Sequence, residues 1–98
     1  MDSVYESRKL RRLLNGLGPS DEVVVTTGIS PQTEESVYSW VTVYVNGKSR
    51  KFETYRLENP AVTQGNARNA ATAEAVRFSG YIKNECRSKG ASVMDADI

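Results

Sequence analysis

Histidine is absent from these 98 residues, and cysteine occurs once, as Cys86. Without imidazole there is no Ser-His-Asp or Cys-His arrangement, no imidazole metal ligand and no ordinary general base near neutral pH. A single thiolate cannot build a zinc site, and Cys86 has no base beside it in the sequence to activate it as a nucleophile. A carboxylate metal site of nuclease type would have to draw on Asp21, Glu22, Glu34, Glu35 or Glu53. Two adjacent pairs among these fall in loop-like positions, where acidic residues are solvated. Gly16 and Gly18 lack the lysine and the strand-turn-helix setting of a phosphate-cradling loop. The expectation is a protein that is not an enzyme and uses neither a cofactor nor a metal, and that acts by binding.

Two residue sets could bind. The first is basic: Arg8, Lys9, Arg11 and Arg12 near the start, Lys48, Arg50 and Lys51 at a hairpin turn, and Arg68 near the start of a second helix. If these converge they form a phosphate-binding surface; if they do not, the first four merely keep a helix in solution. The second set is aromatic. Tyr38, Trp40, Tyr44 and Tyr55, with Lys51 beside them, fall on one side of a hairpin. Such a face can pack under helices, meet another protein or stack bases.

The elements that must position these residues follow from local pattern. Ser3 and Glu6 form a capping box opening a helix from about Val4 to Asn15, with Leu10, Leu13, Leu14 and Leu17 on one stripe and Arg8, Arg11 and Arg12 opposite. Gly16, Gly18 and Pro19 end it. Glu22 to Thr27 reads as a strand and Gly28 to Ser36 as a loop. Val37 to Val45 and Lys48 to Leu57 flank Asn46-Gly47, the pair that best accepts positive φ at both centres of a type I′ turn, so they form a hairpin. Alternation places Val41, Val43 and Val45 with Arg50, Phe52 and Thr54, and the four aromatics on the other face. Asn59-Pro60 stops the sheet. A second helix lies within Thr63 to Ser88, most securely from Asn66, with Ala67, Ala71, Ala75, Phe78, Ile82 and Cys86 as its core stripe. Gly90 onward has no period and ends acidic, which gives residues 90–98 as a flexible tail after one α+β domain at 1–89.

The fold class expected is therefore α-β-β-β-α, a three-stranded antiparallel sheet flanked by N- and C-terminal helices. The net charge of +1 hides the uneven distribution of charge, so any electrostatic preference must come from patches. The lone cysteine suits a reducing compartment, the N-terminus lacks the apolar core of a signal peptide, and no stretch approaches the roughly 20 apolar residues of a membrane span. A cytoplasmic protein without membrane contact is expected.

The element order, together with the runs VTVYVNGK and NARNAATAEAV, resembles the double-stranded RNA-binding domain over about Lys9 to Ile82. Val41, Val43, Val45 and Gly47 match that family's central strand and turn; Ala67, Arg68, Ala70, Ala71 and Ala75 match its alanine-rich second helix. The resemblance implies phosphate contacts from the start of helix two, where this chain has Arg68 after Gln64, Gly65 and Asn66. Its minor-groove loop corresponds to Ser30-Pro31-Gln32-Thr33. It implies a nucleic-acid-binding module, RNA favoured, using Arg8, Arg11, Arg12, Lys48, Arg50, Lys51 and Arg68. The alternative is a protein-interaction module, such as a viral or phage inhibitor or a self-assembling subunit, a homodimer among the forms it could take, using Tyr38, Trp40, Tyr44 and Tyr55.

Overall fold

The computed structural model describes residues 4–31, 36–58 and 65–95. Ser7 lies in extended backbone, and its hydroxyl accepts a hydrogen bond from the Leu10 N–H, which makes it the cap of helix α1, Arg8–Asn15. The expected helix from Val4 is therefore two pieces: a short 3-10 turn at Val4–Glu6, then α1. The proposed capping residue Ser3 lies outside the described residues. Strands β1 (Glu22–Ile29), β2 (Ser36–Val45) and β3 (Lys48–Glu58) follow, then helix α2 (Gly65–Ser88) and strand β4 (Ser92–Asp95). No described helix is long and apolar enough to cross a membrane.

The sheet has four strands in the order β3-β2-β1-β4, antiparallel except for β4, which runs parallel to β1. This corrects the expected three-stranded antiparallel sheet, and it places Ser92–Asp95 of the expected tail in a strand. A parallel neighbour needs a long crossover, and α2 supplies it, packing against all four strands as it returns the chain from β3 to β4. β1 also runs further than expected, to Ile29, where the loop was to have begun at Gly28. Residues 32–35, within that loop, lie outside the described residues.

Both helices cover one face of the sheet. Val23, Val25, Val41, Val43 and Phe52 from the strands meet Leu10 and Leu14 of α1 and Ala75, Phe78, Ile82 and Cys86 of α2 in one core. The predicted α2 stripe is buried at each of its six positions, and its alanines, with almost no side-chain reach, let the first half of the helix lie close to the strands. Tyr5 seals the junction of the helices, with its ring edge-on to Phe78 and Tyr81 at 5.1 and 5.0 Å. The result is a two-layer body whose thinnest dimension is 19 Å. The opposite face of the sheet carries no described helix.

A bulge modifies the hairpin. Tyr55 pairs with Ser39 and Glu53 with Trp40, so Thr54 is the extra residue, and its hydroxyl bonds that of buried Ser39 at 2.7 Å. One inserted residue reverses the alternation beyond it. Tyr55 thus falls on the helix-covered side with Ser39, and not with Tyr38, Trp40 and Tyr44 as strict alternation predicts.

Candidate functional site: a basic cleft and an open sheet face

The basic residues do not form one surface; the fold sorts them into four places. Lys48 pairs with Val45 and Arg50 with Val43, so both side chains emerge on the helix-bearing side, next to α1. There Lys9 and Arg12 meet them. The four cations line a cleft of about 600 Å³ together with Leu13, Gly16, Leu17, Asp21, Val45 and Asn46. Leu13, Leu17 and Val45 are half-buried against the core and supply apolar surface.

Lys9 holds the two walls together. Its Nζ donates to the Lys51 carbonyl at 2.8 Å and lies 5.0 Å from the Phe52 ring centroid. Asn46 closes one end of the cleft. It adopts φ 51°, as the tight turn requires, its side-chain amide donates to Asp21 Oδ1 at 2.8 Å, and its Oδ1 accepts from the Glu22 N–H at 2.9 Å. Asp21 Oδ2 in turn accepts from the Gly18 N–H at 2.8 Å. The hairpin tip is thereby tied to the α1–β1 connection, and the shape of the cleft is set by hydrogen bonds before any ligand arrives.

None of Arg8, Lys9, Arg11, Arg12, Lys48, Arg50 and Lys51 is ion-paired to a described carboxylate. Within the cleft four cations face one carboxylate, Asp21, a local balance of +3 in a chain whose total is +1. Like charges gathered in this way oppose folding by a few tenths of a kcal/mol per pair at separations of about 8–10 Å in water. An arriving anion relieves that repulsion.

The remaining basic positions lie elsewhere. Lys51 points to the other face, its Nζ 4.3 Å from the Trp40 ring centroid. Arg8 and Arg11 are exposed on α1 but do not line the cleft; Arg11 lies near the Tyr81 hydroxyl, whose pKa is nonetheless raised by burial and by its hydrogen bond to Glu85. Arg68 sits in the first turn of α2, about 27 Å of helix from Cys86, which lies at the end that turns into β4 beside the hairpin tip. Of helix one, the hairpin turn and the start of helix two, the fold brings cations together from the first two alone.

The open face holds Tyr38, Trp40 and Tyr44. Trp40 pairs with Gly28 and lies flat on it, with Lys51 across the ring. Tyr38, 5.7 Å from Trp40 by ring centroids, carries Arg56 at 4.5 Å, and Arg56 is itself ion-paired to Glu53 and Glu58. The flat sides a base would stack on are thus already engaged by cations. Among the described residues, the row beside the hairpin tip carries no cation: Tyr44, Val24 and Met94 follow one another across β2, β1 and β4, with Tyr44 37% and Met94 60% exposed.

No family model, curated protein or solved structure matches this chain. Among the described residues no group of three or more metal-ligating side chains comes together. Cys86 is fully buried, and its thiol is pushed up to about 11 by desolvation, with Glu85 adding to the effect. Such a thiol is poorly suited to nucleophilic work.

The sequence reading weighed Asp21 only as a metal-site carboxylate, Asn46 only as a turn residue and Leu13 and Leu17 only as core, and assigned none of them to this cleft. A local signal existed for the split among the cations, since alternation along β3 separates Lys48 and Arg50 from Lys51.

Proposed function

We propose that this chain is a nucleic-acid-binding module that grips phosphates through the cleft between α1 and the β2–β3 hairpin. One observation carries the reading: four cations from two segments far apart in sequence, Lys9 and Arg12 on α1 and Lys48 and Arg50 on β3, gather around one preorganised cleft, and none of them is ion-paired to a described carboxylate. Surface cations that serve only to keep a protein in solution have no reason to converge, and convergence works against folding. The phosphate backbone is the commonest dense polyanion such an array meets. RNA is favoured over DNA by the resemblance of the element order to the double-stranded RNA-binding domain. Arg68, at the other end of α2, contributes at most a separate contact.

The test is fluorescence anisotropy with labelled duplex RNA, duplex DNA and single-stranded RNA at several salt concentrations. Arg12→Gln, Lys48→Gln and Arg50→Gln together should weaken binding and flatten the plot of log K against log salt by roughly 2 to 3, at about 0.7–0.9 per lost phosphate contact. Lys51→Gln and Arg68→Gln should leave the slope nearly unchanged. If wild-type protein binds none of the three at low salt, the reading fails.

A second reading, contact with protein through the open sheet face, is favoured by the row of exposed Tyr44 and Met94 on either side of half-buried Val24. It predicts a concentration-dependent mass in light scattering, or capture of a partner, that Tyr44→Glu removes while the cleft substitutions do not.

A further inference from the structure

A track that only follows a phosphate backbone needs charge and no depth, yet this cleft has both. Its volume of about 600 Å³ lies within the range of sites that enclose a small organic ligand. A bare phosphate leaves most of that space empty. Cations on the rim over an apolar floor of Leu13, Leu17 and Val45 match a ligand with a charged end and a flat, weakly polar body. Asn46, whose amide donates to Asp21, retains a second N–H at the cleft's end, where it can meet a polar edge of that body.

We propose, on the basis of the nucleic-acid reading above, that the cleft is a subsite for one unpaired nucleotide. The phosphate lies against Arg12, Lys48 and Arg50, and the base enters over Leu13 and Leu17 with its edge toward Asn46. The protein would then prefer strand ends, overhangs and bulges to uninterrupted duplex, because only an unstacked nucleotide can leave the helix and enter. Lys9 belongs to the frame and not to the ligand contacts, since its Nζ is already committed to the Lys51 carbonyl.

Gly16 provides a way to fill the cleft without touching its charge. It lines the cleft, has right-handed helical backbone (φ −86°), and a Cβ added there would meet only backbone oxygens at 3.5 and 3.8 Å, which is ordinary contact. Labelled blunt RNA duplex and the same duplex with a three-nucleotide overhang are titrated against wild-type protein and Gly16→Phe, with circular dichroism melts verifying that the variant folds. The expected result is at least a tenfold preference for the overhang in wild type, erased in Gly16→Phe. An equal affinity of wild type for both RNAs, or a preference that survives the substitution, overturns the subsite and leaves the phosphate grip standing. Absence of binding to any RNA overturns both.

A second measurement does not depend on the variant. In NMR titrations of the wild-type protein, adenosine monophosphate should shift the Leu13 and Leu17 methyl signals and the Asn46 side-chain amide, while inorganic phosphate at the same concentration should leave the two methyls in place. Methyl signals that respond equally to both, or to neither, overturn the proposal.

Discussion

Replacing Gly28 with alanine tests the architecture of the open face at a single atom. Trp40 lies so close over this glycine that a Cβ would fall 2.3 Å from Cε2 and Cζ2 and 2.5 Å from Nε1 of the indole. Carbon atoms rest at about 3.5–4.0 Å, so the ring must retreat by more than about 1 Å. A strand on one side and Lys51 on the other restrict that retreat, and overpacking of this kind costs about 1–3 kcal/mol. The lower entropy of the unfolded alanine chain offsets about 0.5–1 kcal/mol. The net loss expected is about 0–2.5 kcal/mol, and each kcal/mol lost lowers Tm by roughly 4–8 °C in a domain of this size. Trp40 is the only tryptophan, so urea denaturation followed by its fluorescence reports both the stability and the displacement of the ring. Gly28→Ala should also redden the native emission as Lys51 and the indole separate, and combining it with Trp40→Leu should remove most of the alanine's penalty. A Gly28→Ala protein as stable as wild type, with unchanged emission, would refute the stacked arrangement. Nucleic-acid affinity should be unaffected, because the cleft lies on the other face.

Asn46→Ala loses the bonds to Asp21 and Glu22 and strains the positive φ; it should cost about 1–2 kcal/mol in chemical denaturation, whereas Asn46→Gly, which keeps the turn, should cost less. The raised pKa of Cys86 fixes a direction with pH. The folded state holds the proton more tightly than the unfolded chain does, so the stabilisation is complete below about pH 8.5 and declines as pH rises toward 11. The stability gap between wild type and Cys86→Ala should therefore narrow between pH 8 and pH 11 when both are unfolded by urea, and a constant gap would count against the buried thiol.

What could be read from the sequence was whatever leaves a local mark. Asn46-Gly47 fixes a turn by backbone sterics, and the Ala67-to-Cys86 stripe repeats at the helical period, so the hairpin and the buried face of α2 were visible. β4 leaves no such mark. Four residues cannot display a period, and its pairing with β1 depends on a partner 70 positions away. The bulge at Thr54 has no local signature either, and it alone moved Tyr55 to the other side. Half of the candidate site was legible as a list of cations. Their division was set by strand alternation and by where α1 docks, and α1 docks by burying Leu10 and Leu14 beside Phe52 and Phe78. That decision belongs to the assembled core.

The parallel pairing of β4 also governs the order in which the molecule can assemble. β1, β2 and β3 join through neighbouring antiparallel contacts, and α2 can coil on its own. β1, however, remains an edge with open N–H and C=O groups until α2 has crossed the sheet and delivered Ser92 beside Glu22. Closing that loop comes late, because its entropy must be overcome before the contact returns anything. Until then the chain carries a bare strand containing Val23, Val24 and Val25, the sticky interval in its life, and crowding during synthesis is most hazardous to it there. Interactions made by β4 would then govern how long the native state lasts more than how quickly it is reached.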